Sequence, residues 1–319
     1  MFASPQIRTI WLDEPQRIFD KTAVTIGSFD GIHRGHKIIL QKLAAVSKER
    51  ELSPILLTFD PHPRLVLTGD ISVLTTVAER ELLLRKSGLS CIVHIRFTRK
   101  IANLSHNEFV EQYLVKSLGA KYVIVGYDHH FGKGREGGPQ ALQKLGAKYD
   151  FDAEIIPPIK IGHNTIKSNL IREVFLDGKL DGANLLLGHS YVVMGKAVHG
   201  RGLGSHIGYP TANLELPSQK LLPPDGVYAA TAVVLPDKIE RAAMVYIGRA
   251  PTFDLPKKMF EIHIFDHDGS PLYGRNIVAR LHKFIRSDRS FKSVDELRKQ
   301  IDDDAMKTKE ALKNIVNQK

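Results

Sequence analysis

Ten residues at the junction of a short apolar strand and a helix decide the fold: Gly27-Ser-Phe-Asp-Gly-Ile-His-Arg-Gly-His36. A strand is predicted over residues 22–26. Apolar residues spaced as on one helical face follow over residues 36–50. Ligands of open α/β sheets bind at the loops that follow the strand ends, and a helix N-terminus there attracts phosphate. With three glycines allowing a close backbone approach, the stretch predicts an α/β sheet with a phosphate site.

The two histidines of this stretch indicate the chemistry. His33 and His36 are about one helical turn apart and should share a face. Two imidazoles there can hydrogen-bond to an α-phosphate whose charge grows in the transition state. The alternatives are a pair of capping residues, a metal site, or ordinary satisfied polar groups. A metal site lacks support, because His-Glu-x-x-His and further ligands in a suitable pattern are missing from the sequence. Phosphate chemistry is the favoured interpretation.

Outward from this loop, strand and helix signals alternate through the first half of the chain. The strands are apolar throughout, which is typical of a parallel sheet covered by helices on both faces, a doubly wound α/β domain. Further strands are predicted over residues 55–59, 91–95 and 121–125, and helices over residues 79–86 and 107–118.

The second half has a different pattern, with short β-rich runs separated by turn residues. This pattern predicts a small antiparallel β-barrel followed by a terminal helix. The runs cover residues 191–194, 227–235, 242–247, 260–265 and 277–284, and the helix covers residues 294–316. The change of period places the expected domain boundary between residues 1–186 and 187–319.

Composition sets limits on the function. The 319 residues are 43% hydrophobic and 25% charged, which suits two globular domains. A net charge of +10 raises nucleic-acid binding as a hypothesis, but the basic residues are scattered, and no nucleic-acid partner is expected. Neither a signal peptide nor a membrane span is predicted. With Cys91 as the single cysteine, the expected location is the reducing cytoplasm. A homo-oligomer is left open.

The ten-residue loop resembles the His-x-Gly-His signature of the nucleotidylyltransferase superfamily. Its full form is similar to that of the bacterial bifunctional riboflavin kinase/FMN adenylyltransferase family, as are residues 57–63, 97–105 and 125–132. The resemblance implies that the N-terminal domain joins FMN and ATP into FAD and pyrophosphate, with His33 and His36 catalytic. Phe131 is implied as an aromatic wall for the flavin, with an ordinary core aromatic as the alternative. The implied substrate- and nucleotide-binding residues are Gly27, Phe29, Asp30, Gly35, Asp128 and Phe131.

One segment departs from the family pattern. The family usually has Ile-Ser-Ser-Thr-x-Ile-Arg, which holds the leaving pyrophosphate, whereas this chain has Ile166-Lys-Ser-Asn-Leu-Ile-Arg172. Ser168 and Arg172 match and are implied to bind the nucleotide. Lys167 and Asn169 replace hydroxyl residues, and a lysine neutralises phosphate as a compact point charge. The efficiency of adenylylation is therefore open.

A second site is indicated in the barrel half. A glycine-rich stretch over residues 198–208 is by itself a common kind of β-turn. Thr211 and Asn213, two residues apart on an extended segment, present their oxygens to the same side and suit Mg²⁺ carrying phosphate. Residues 208–214, 225–228, 247–253, 261–263, 272–274 and 285–291 resemble the riboflavin kinase family in order.

This second resemblance implies the residue roles in the barrel. Thr211 and Asn213 would hold Mg²⁺ with ATP as co-substrate, and Glu261 would be the general base for the terminal ribityl hydroxyl. Gly208 and Arg286 would support the substrate site. Tyr246 stands where the family often has Asn.

The expected function is two-step synthesis of FAD from riboflavin, through FMN, with ATP as the second substrate of both steps. Two alternatives stay open: a riboflavin kinase with a weak or silent adenylyltransferase domain, and a flavin-binding regulator without turnover. Lys167 and Asn169 favour the first alternative, whereas Glu261, His33 and His36 argue against the second.

Overall fold

The computed structural model describes residues 7–199, 208–237, 239–249 and 258–316. Their contacts divide the chain into two compact units. The first comprises Met1–Val73 and Arg80–Lys167, and the second comprises Leu74–Glu79 and Ser168–Lys319. The sequence-based boundary after residue 186 stays a prediction.

The first unit is built on a six-stranded sheet in which every neighbouring pair is parallel. The strand order is β1-β4-β3-β2-β5-β6, so the chain winds outward in both directions from the middle strands, and the doubly wound α/β prediction is confirmed. The strands are β1 (Arg8–Leu12), β2 (Thr22–Ile26), β3 (Ser53–Asp60), β4 (Cys91–Arg96), β5 (Ala120–Gly126) and β6 (Asp152–Ile156), and a small hairpin adds β7 (Lys160–Ile161) and β8 (Asn164–Thr165).

Alternate residues of the strands enter two different hydrophobic clusters, because successive side chains of a strand point to opposite faces. Val24 and Leu57 belong to one cluster together with Tyr113, whereas Ala23 and Leu56 belong to the other. Helices therefore cover both faces. They are α1 (Arg34–Glu49), α2 (Pro63–Thr68), α3 (Val77–Leu84), α4 (Arg99–Ala102), α5 (His106–Phe109) continued as a π-helix over Val110–Ser117, a 3₁₀ turn over Lys133–Arg135, and α6 (Pro139–Tyr149).

The second unit contains a closed antiparallel barrel with the strand order β10-β13-β12-β11-β14-β9, as predicted. Interior and exterior residues alternate along strand β13, as is usual for a barrel strand. On β13, Phe260, Ile262 and Ile264 are buried, while Glu261 and His263 are only partly buried. The strands are β9 (Tyr191–Val198), β10 (Ala212–Glu215), β11 (Gly226–Val234), β12 (Glu240–Arg249), β13 (Lys258–Ile264) and β14 (Asn276–Ser287).

Within its described residues, the second unit also has helices α7 (Ser168–Leu176), α8 (Leu180–Leu187) and the predicted terminal helix α9 (Val294–Val316). Helix α8 is fastened to the barrel by Asn184, whose side chain donates to the Leu281 carbonyl and accepts from the Tyr191 N–H. The Phe175 ring of α7 lies 4.1 Å from the Tyr191 ring. Both helices therefore pack with the barrel, although sequence patterns predicted neither.

The segment Leu74–Glu79 packs within this second unit through a buried ion pair. The Lys220 ammonium donates at 2.7 Å to each of three oxygens: the Glu79 carboxylate and the carbonyls of Leu74 and Val192. Glu79 also accepts the Met194 N–H at 2.8 Å. A buried charge needs this degree of pairing, because leaving it unpaired is strongly destabilising.

Candidate active sites

The loop between β2 and α1 has an unusual backbone. Phe29 and Ile32 have φ values of 47° and 43°, and Gly31 lies at 88°. Side-chain-bearing residues rarely adopt positive φ, and such strain is kept where the surrounding structure holds it in place, often at functional sites. Phe29, Asp30 and Ile32 are all buried, which supplies that constraint.

His33 is the N-cap of α1, so one of the alternatives considered for it is also realised. Its Nδ1 accepts the backbone N–H of His36 at 3.3 Å. An accepting Nδ1 leaves the ring proton of neutral His33 on Nε2, the nitrogen pointing away from the helix backbone. Gly35 makes room for this ring, because a Cβ atom at that position would lie 3.1 Å from Nδ1.

The structure brings the two histidines together. The rings of His33 and His36 stack with centroids 3.6 Å apart, and His36 also stacks on Phe29 at 4.5 Å. The pKa of His36 is held well below its ordinary value by burial first, then by the charges of His33 and Arg80. His36 is therefore a neutral imidazole at physiological pH.

Arg80 is a member of this site that sequence reasoning missed. It lies on α3, its side chain is buried, and its Nη1 donates to the Ser28 carbonyl at 3.0 Å. A single arginine within an amphipathic helix pattern is ordinarily solvent-exposed, so the sequence offers no signal for its burial.

Asp128 and Phe131 follow β5 and have different environments. The Asp128 carboxylate is about half exposed and lies 3.5 Å from the ammonium of Lys167, which also sits 5.2 Å from the Tyr127 ring centroid. Phe131 is buried in the core cluster with its ring 6.0 Å from Phe109. This burial agrees with the core-aromatic alternative, and its predicted role against flavin stays a prediction.

Ser168 and Arg172 lie in the first two turns of α7, where the Arg172 guanidinium donates to the Asn169 side-chain oxygen at 3.0 Å. They belong to the second compact unit. Their role in holding pyrophosphate stays a prediction.

On the barrel, three candidate groups come from three different strands. Glu261 of β13 is directly opposite Asn213 of β10 on one side and Tyr246 of β12 on the other. Side chains directly opposite in antiparallel strands have Cβ atoms about 4.5–5.5 Å apart. Asn213, Glu261 and Tyr246 are partly buried, between strand neighbours that point into the barrel. They form one outward-facing row, which we call the barrel row.

Tyr246 closes one end of the barrel row. Burial raises the pKa of its phenol to about 12, with additional contributions from Asp288, to which it is hydrogen-bonded, and from Glu261. Gly248 is needed beneath it, because a Cβ atom there would overlap the Tyr246 hydroxyl at 2.2 Å. Tyr246 is thus a neutral hydroxyl beside the candidate base.

Helix α9 is attached to the segment that carries Thr211 and Asn213. Tyr209 donates its hydroxyl to Asp302 of this helix at 2.7 Å. Arg286 of β14 binds the buried carboxylate of Asp304 through Nε at 2.9 Å and Nη2 at 2.8 Å. Arg286 therefore fastens α9 to the barrel, and its role at the substrate site stays a prediction.

Gly208 has a φ of +87°, a conformation that favours glycine, and a Cβ atom there would meet open space. The glycine-rich stretch before it, residues 200–207, lies outside the described residues, as do residues 250–257. Thr211 is partly buried and directly precedes β10, so it shares the extended segment with Asn213.

Two family models match the chain, one for each unit. The model described as FAD synthetase matches residues 16–170, and the model described as riboflavin kinase matches residues 187–312. The chain belongs to the bifunctional riboflavin kinase/FMN adenylyltransferase family. It is an enzyme with an FAD synthetase domain and a riboflavin kinase domain, as the sequence resemblance implied.

Relatives carry the same pair of activities in their names. The bifunctional riboflavin kinase/FMN adenylyltransferase of Escherichia coli strain K12 is 37% identical over 90% of this chain and 91% of its own length. The enzyme of the same name from Listeria monocytogenes is 31% identical over 95% of this chain and 98% of its own.

A solved structure from Streptococcus pneumoniae has the same fold, with a TM-score of 0.84, 30% identity and coverage of 95% of this chain and 99% of that one. Its title calls it a macrolide-efflux protein. The described residues of the present enzyme include no helix that is long and apolar enough to cross a membrane. Both family models describe flavin enzymes.

Proposed function

We propose that the enzyme transfers AMP from ATP to FMN at the loop between β2 and α1, and phosphorylates riboflavin at the barrel row. The observation that carries the first assignment is the stacked pair His33 and His36 at a helix N-terminus, with His36 neutral. The observation that carries the second is the register that sets Glu261 between Asn213 and Tyr246.

Adenylyl transfer requires charge stabilisation rather than a covalent intermediate. An oxygen of the FMN phosphate attacks the α-phosphorus of ATP, and the bond from that phosphorus to the β-phosphate oxygen breaks to release pyrophosphate. The Nε2–H of His33 is a donor suited to the non-bridging oxygens of the α-phosphate, whose negative charge grows in the transition state. His36, stacked on it, provides a second imidazole in the same place.

Phosphoryl transfer at the barrel requires a base. Glu261 accepts the proton of the terminal ribityl hydroxyl while that oxygen attacks the γ-phosphorus of ATP, and ADP leaves. A positioned base typically accelerates such a step by about 10²–10⁴-fold. The remaining acceleration comes from positioning and from neutralising phosphate charge.

The residues of the barrel site fit Mg²⁺ brought in with ATP. Thr211 and Asn213 offer the hard oxygen ligands that Mg²⁺ prefers. Among the described residues, no group of three or more His, Cys, Asp or Glu side chains is arranged to hold a metal. This suits an ion that takes most of its ligands from phosphate and water. When bound, the ion would neutralise phosphate charge.

One incubation tests both assignments. The purified enzyme with riboflavin, ATP and Mg²⁺ should yield FMN and then FAD, separated by chromatography. If riboflavin gave FMN but no FAD, and FMN supplied directly gave no FAD either, the kinase-only alternative would be supported. Flavin binding without any product would support the regulator.

A further inference from the structure

The buried guanidinium of Arg80 has hydrogen-bond donors that the proposed function leaves unexplained. The Arg80 residue is 4% exposed, and its Nη1 donates to the Ser28 carbonyl. Nε and Nη2 are buried and have no hydrogen-bond partner among the described residues. Buried donors in proteins are nearly always paired, and an unpaired donor on a charged group carries a large penalty. The two nitrogens therefore call for an acceptor that the described part of the chain does not supply.

Nearby carboxylates balance the charge of Arg80 without satisfying these donors. Asp30, Asp60 and Glu81 each raise the pKa of Arg80, although burial lowers it overall. Glu81 already accepts hydrogen bonds from His94 at 3.1 Å and Thr9 at 3.4 Å. These acidic groups make a buried guanidinium tolerable and leave its hydrogen-bonding capacity unused.

The two unpaired nitrogens lie on one edge of the planar guanidinium. That edge forms two parallel hydrogen bonds with a carboxylate or phosphate. Arg286 of the barrel uses the same pair of atoms on the carboxylate of Asp304. In Arg80 the corresponding edge has no hydrogen-bond partner among the described residues, and Nη1 fixes the group to the backbone of the loop that contains Asp30 and His33.

The site also needs the positive charge of Arg80. His36 is neutral, because its pKa is held well below the ordinary value. Arg34 at the start of α1 is exposed, so solvent screens its charge. A phosphate at the end of β2 would therefore find its buried, permanently charged partner in Arg80.

We propose that Arg80 binds a phosphate group of a substrate of adenylyl transfer through Nε and Nη2, while Nη1 keeps the guanidinium on the loop. The proposal rests on the assignment of adenylyl transfer to this loop. The phosphate belongs either to the triphosphate of ATP, which leaves as pyrophosphate, or to FMN. Both offer the same chemistry, and kinetics separates them.

The test uses the full-length enzyme with Arg80→Lys, which keeps the charge but loses the two-nitrogen edge, and Arg80→Gln, which loses both. We measure FAD formation from FMN and ATP, and the reverse reaction from FAD and inorganic pyrophosphate. Loss of a bidentate charged contact should raise the relevant KM by roughly tenfold or more, or lower kcat to that extent if the contact strengthens in the transition state. Arg85→Lys, an exposed position just after α3, is the matched control.

The pattern of the constants identifies the phosphate. Raised KM values for ATP and pyrophosphate with an unchanged KM for FMN assign it to the triphosphate, and the opposite pattern assigns it to FMN. If folded Arg80→Lys matched the unsubstituted enzyme in all constants, or lost thermal stability alone, the inference would be overturned. Failure of the unsubstituted enzyme to make FAD would instead contradict the proposed function. Should Arg80→Gln not fold, Arg80→Lys decides the question.

Discussion

The loop between β2 and α1 and the barrel row bring their reacting groups together in different ways. In the loop, His33 and His36 are neighbours in sequence, and the helix start alone brings their rings to 3.6 Å. In the barrel row, Asn213, Glu261 and Tyr246 are distant in sequence, and the pairing of three strands places them side by side. A contiguous site is built by local backbone geometry, whereas a dispersed one is built by strand register.

Their electrostatics differ as well. A neutral His36 imidazole, the His33 ring stacked on it and a buried guanidinium form the loop site, which suits the stabilisation of growing phosphate charge. The barrel row offers a carboxylate flanked by an amide and a neutral phenol, which suits proton abstraction. If this contrast is right, substitutions in one site should leave the other reaction unchanged.

The largest expected effect is that of Glu261→Gln, which keeps the shape of the side chain and removes the base. FMN formation from riboflavin should fall by a factor of about 10² or more, while FAD formation from supplied FMN is unchanged. Glu215→Gln is the control, since it makes the same chemical change at an exposed position of the barrel. Equal loss of both reactions would show that the two sites are not separate.

A second prediction concerns the independence of the barrel unit. A fragment starting at Ser168 keeps Phe175 on Tyr191 but lacks residues 74–79, and so removes the Glu79 carboxylate and the Leu74 carbonyl from the buried Lys220 ammonium. Loss of a buried partner costs about 3–5 kcal/mol, so Lys220→Met should raise the free energy of unfolding of the fragment measurably in urea. Equal stability with and without this substitution would contradict the structural role of the ion pair.

The same fragment tests the predicted division of activities. A soluble fragment carrying Lys220→Met should phosphorylate riboflavin at the rate of the whole enzyme, because the barrel row lies within it. A folded fragment without kinase activity would show that the barrel unit is incomplete alone. A cut at the predicted boundary, after residue 186, would also remove Phe175 and Asn184, and should give a less stable fragment for that reason.

The third prediction sharpens the comparison from the other side. His36→Ala removes an imidazole from the loop, and loss of a charge-stabilising donor costs roughly 2.7–4 kcal/mol in the transition state. FAD synthesis should fall accordingly, with FMN binding affected less than turnover and riboflavin phosphorylation unaffected. His163→Ala, at an exposed turn between β7 and β8, is the control. Undiminished FAD synthesis would reduce the loop to a structural turn.

Sequence patterns predicted the features that depend on local order. Strand β2 and helix α9 have their predicted bounds, and the parallel sheet that the apolar strands predicted is confirmed. Edge strand β1 was missed, since an edge strand is partly solvated and its pattern is weak. The burial of Arg80 and the Glu79–Lys220 pair were missed too, because each depends on contacts with residues remote in sequence.

The smallest expected effect concerns Lys167, where this chain departs from the family pattern. Its ammonium lies 3.5 Å from the Asp128 carboxylate, and its hydrogen bond with Tyr127 is the main cause that raises its pKa. Both members of the ion pair are about half exposed, so the pair itself contributes little to stability. Because Lys167 lies in the predicted phosphate-binding segment, its charge is better explained by substrate binding than by a role in the fold.

Lys167→Ser, with or without Asn169→Thr, separates the two interpretations of this departure. If Lys167 neutralises phosphate, the change should raise the KM for ATP in FAD synthesis by up to about tenfold, and more strongly at low salt, because screening weakens an exposed charge. If Lys167 and Asn169 are impaired replacements, the double change should increase the rate instead. Lys160→Ser, an exposed lysine of the β7–β8 hairpin, controls for net charge. We expect the rise in KM, because a lysine held by Tyr127 and Asp128 is already ordered at the predicted nucleotide-binding residue. If substitutions at position 167 left the rate of FAD synthesis unchanged, the phosphate would have to bind elsewhere.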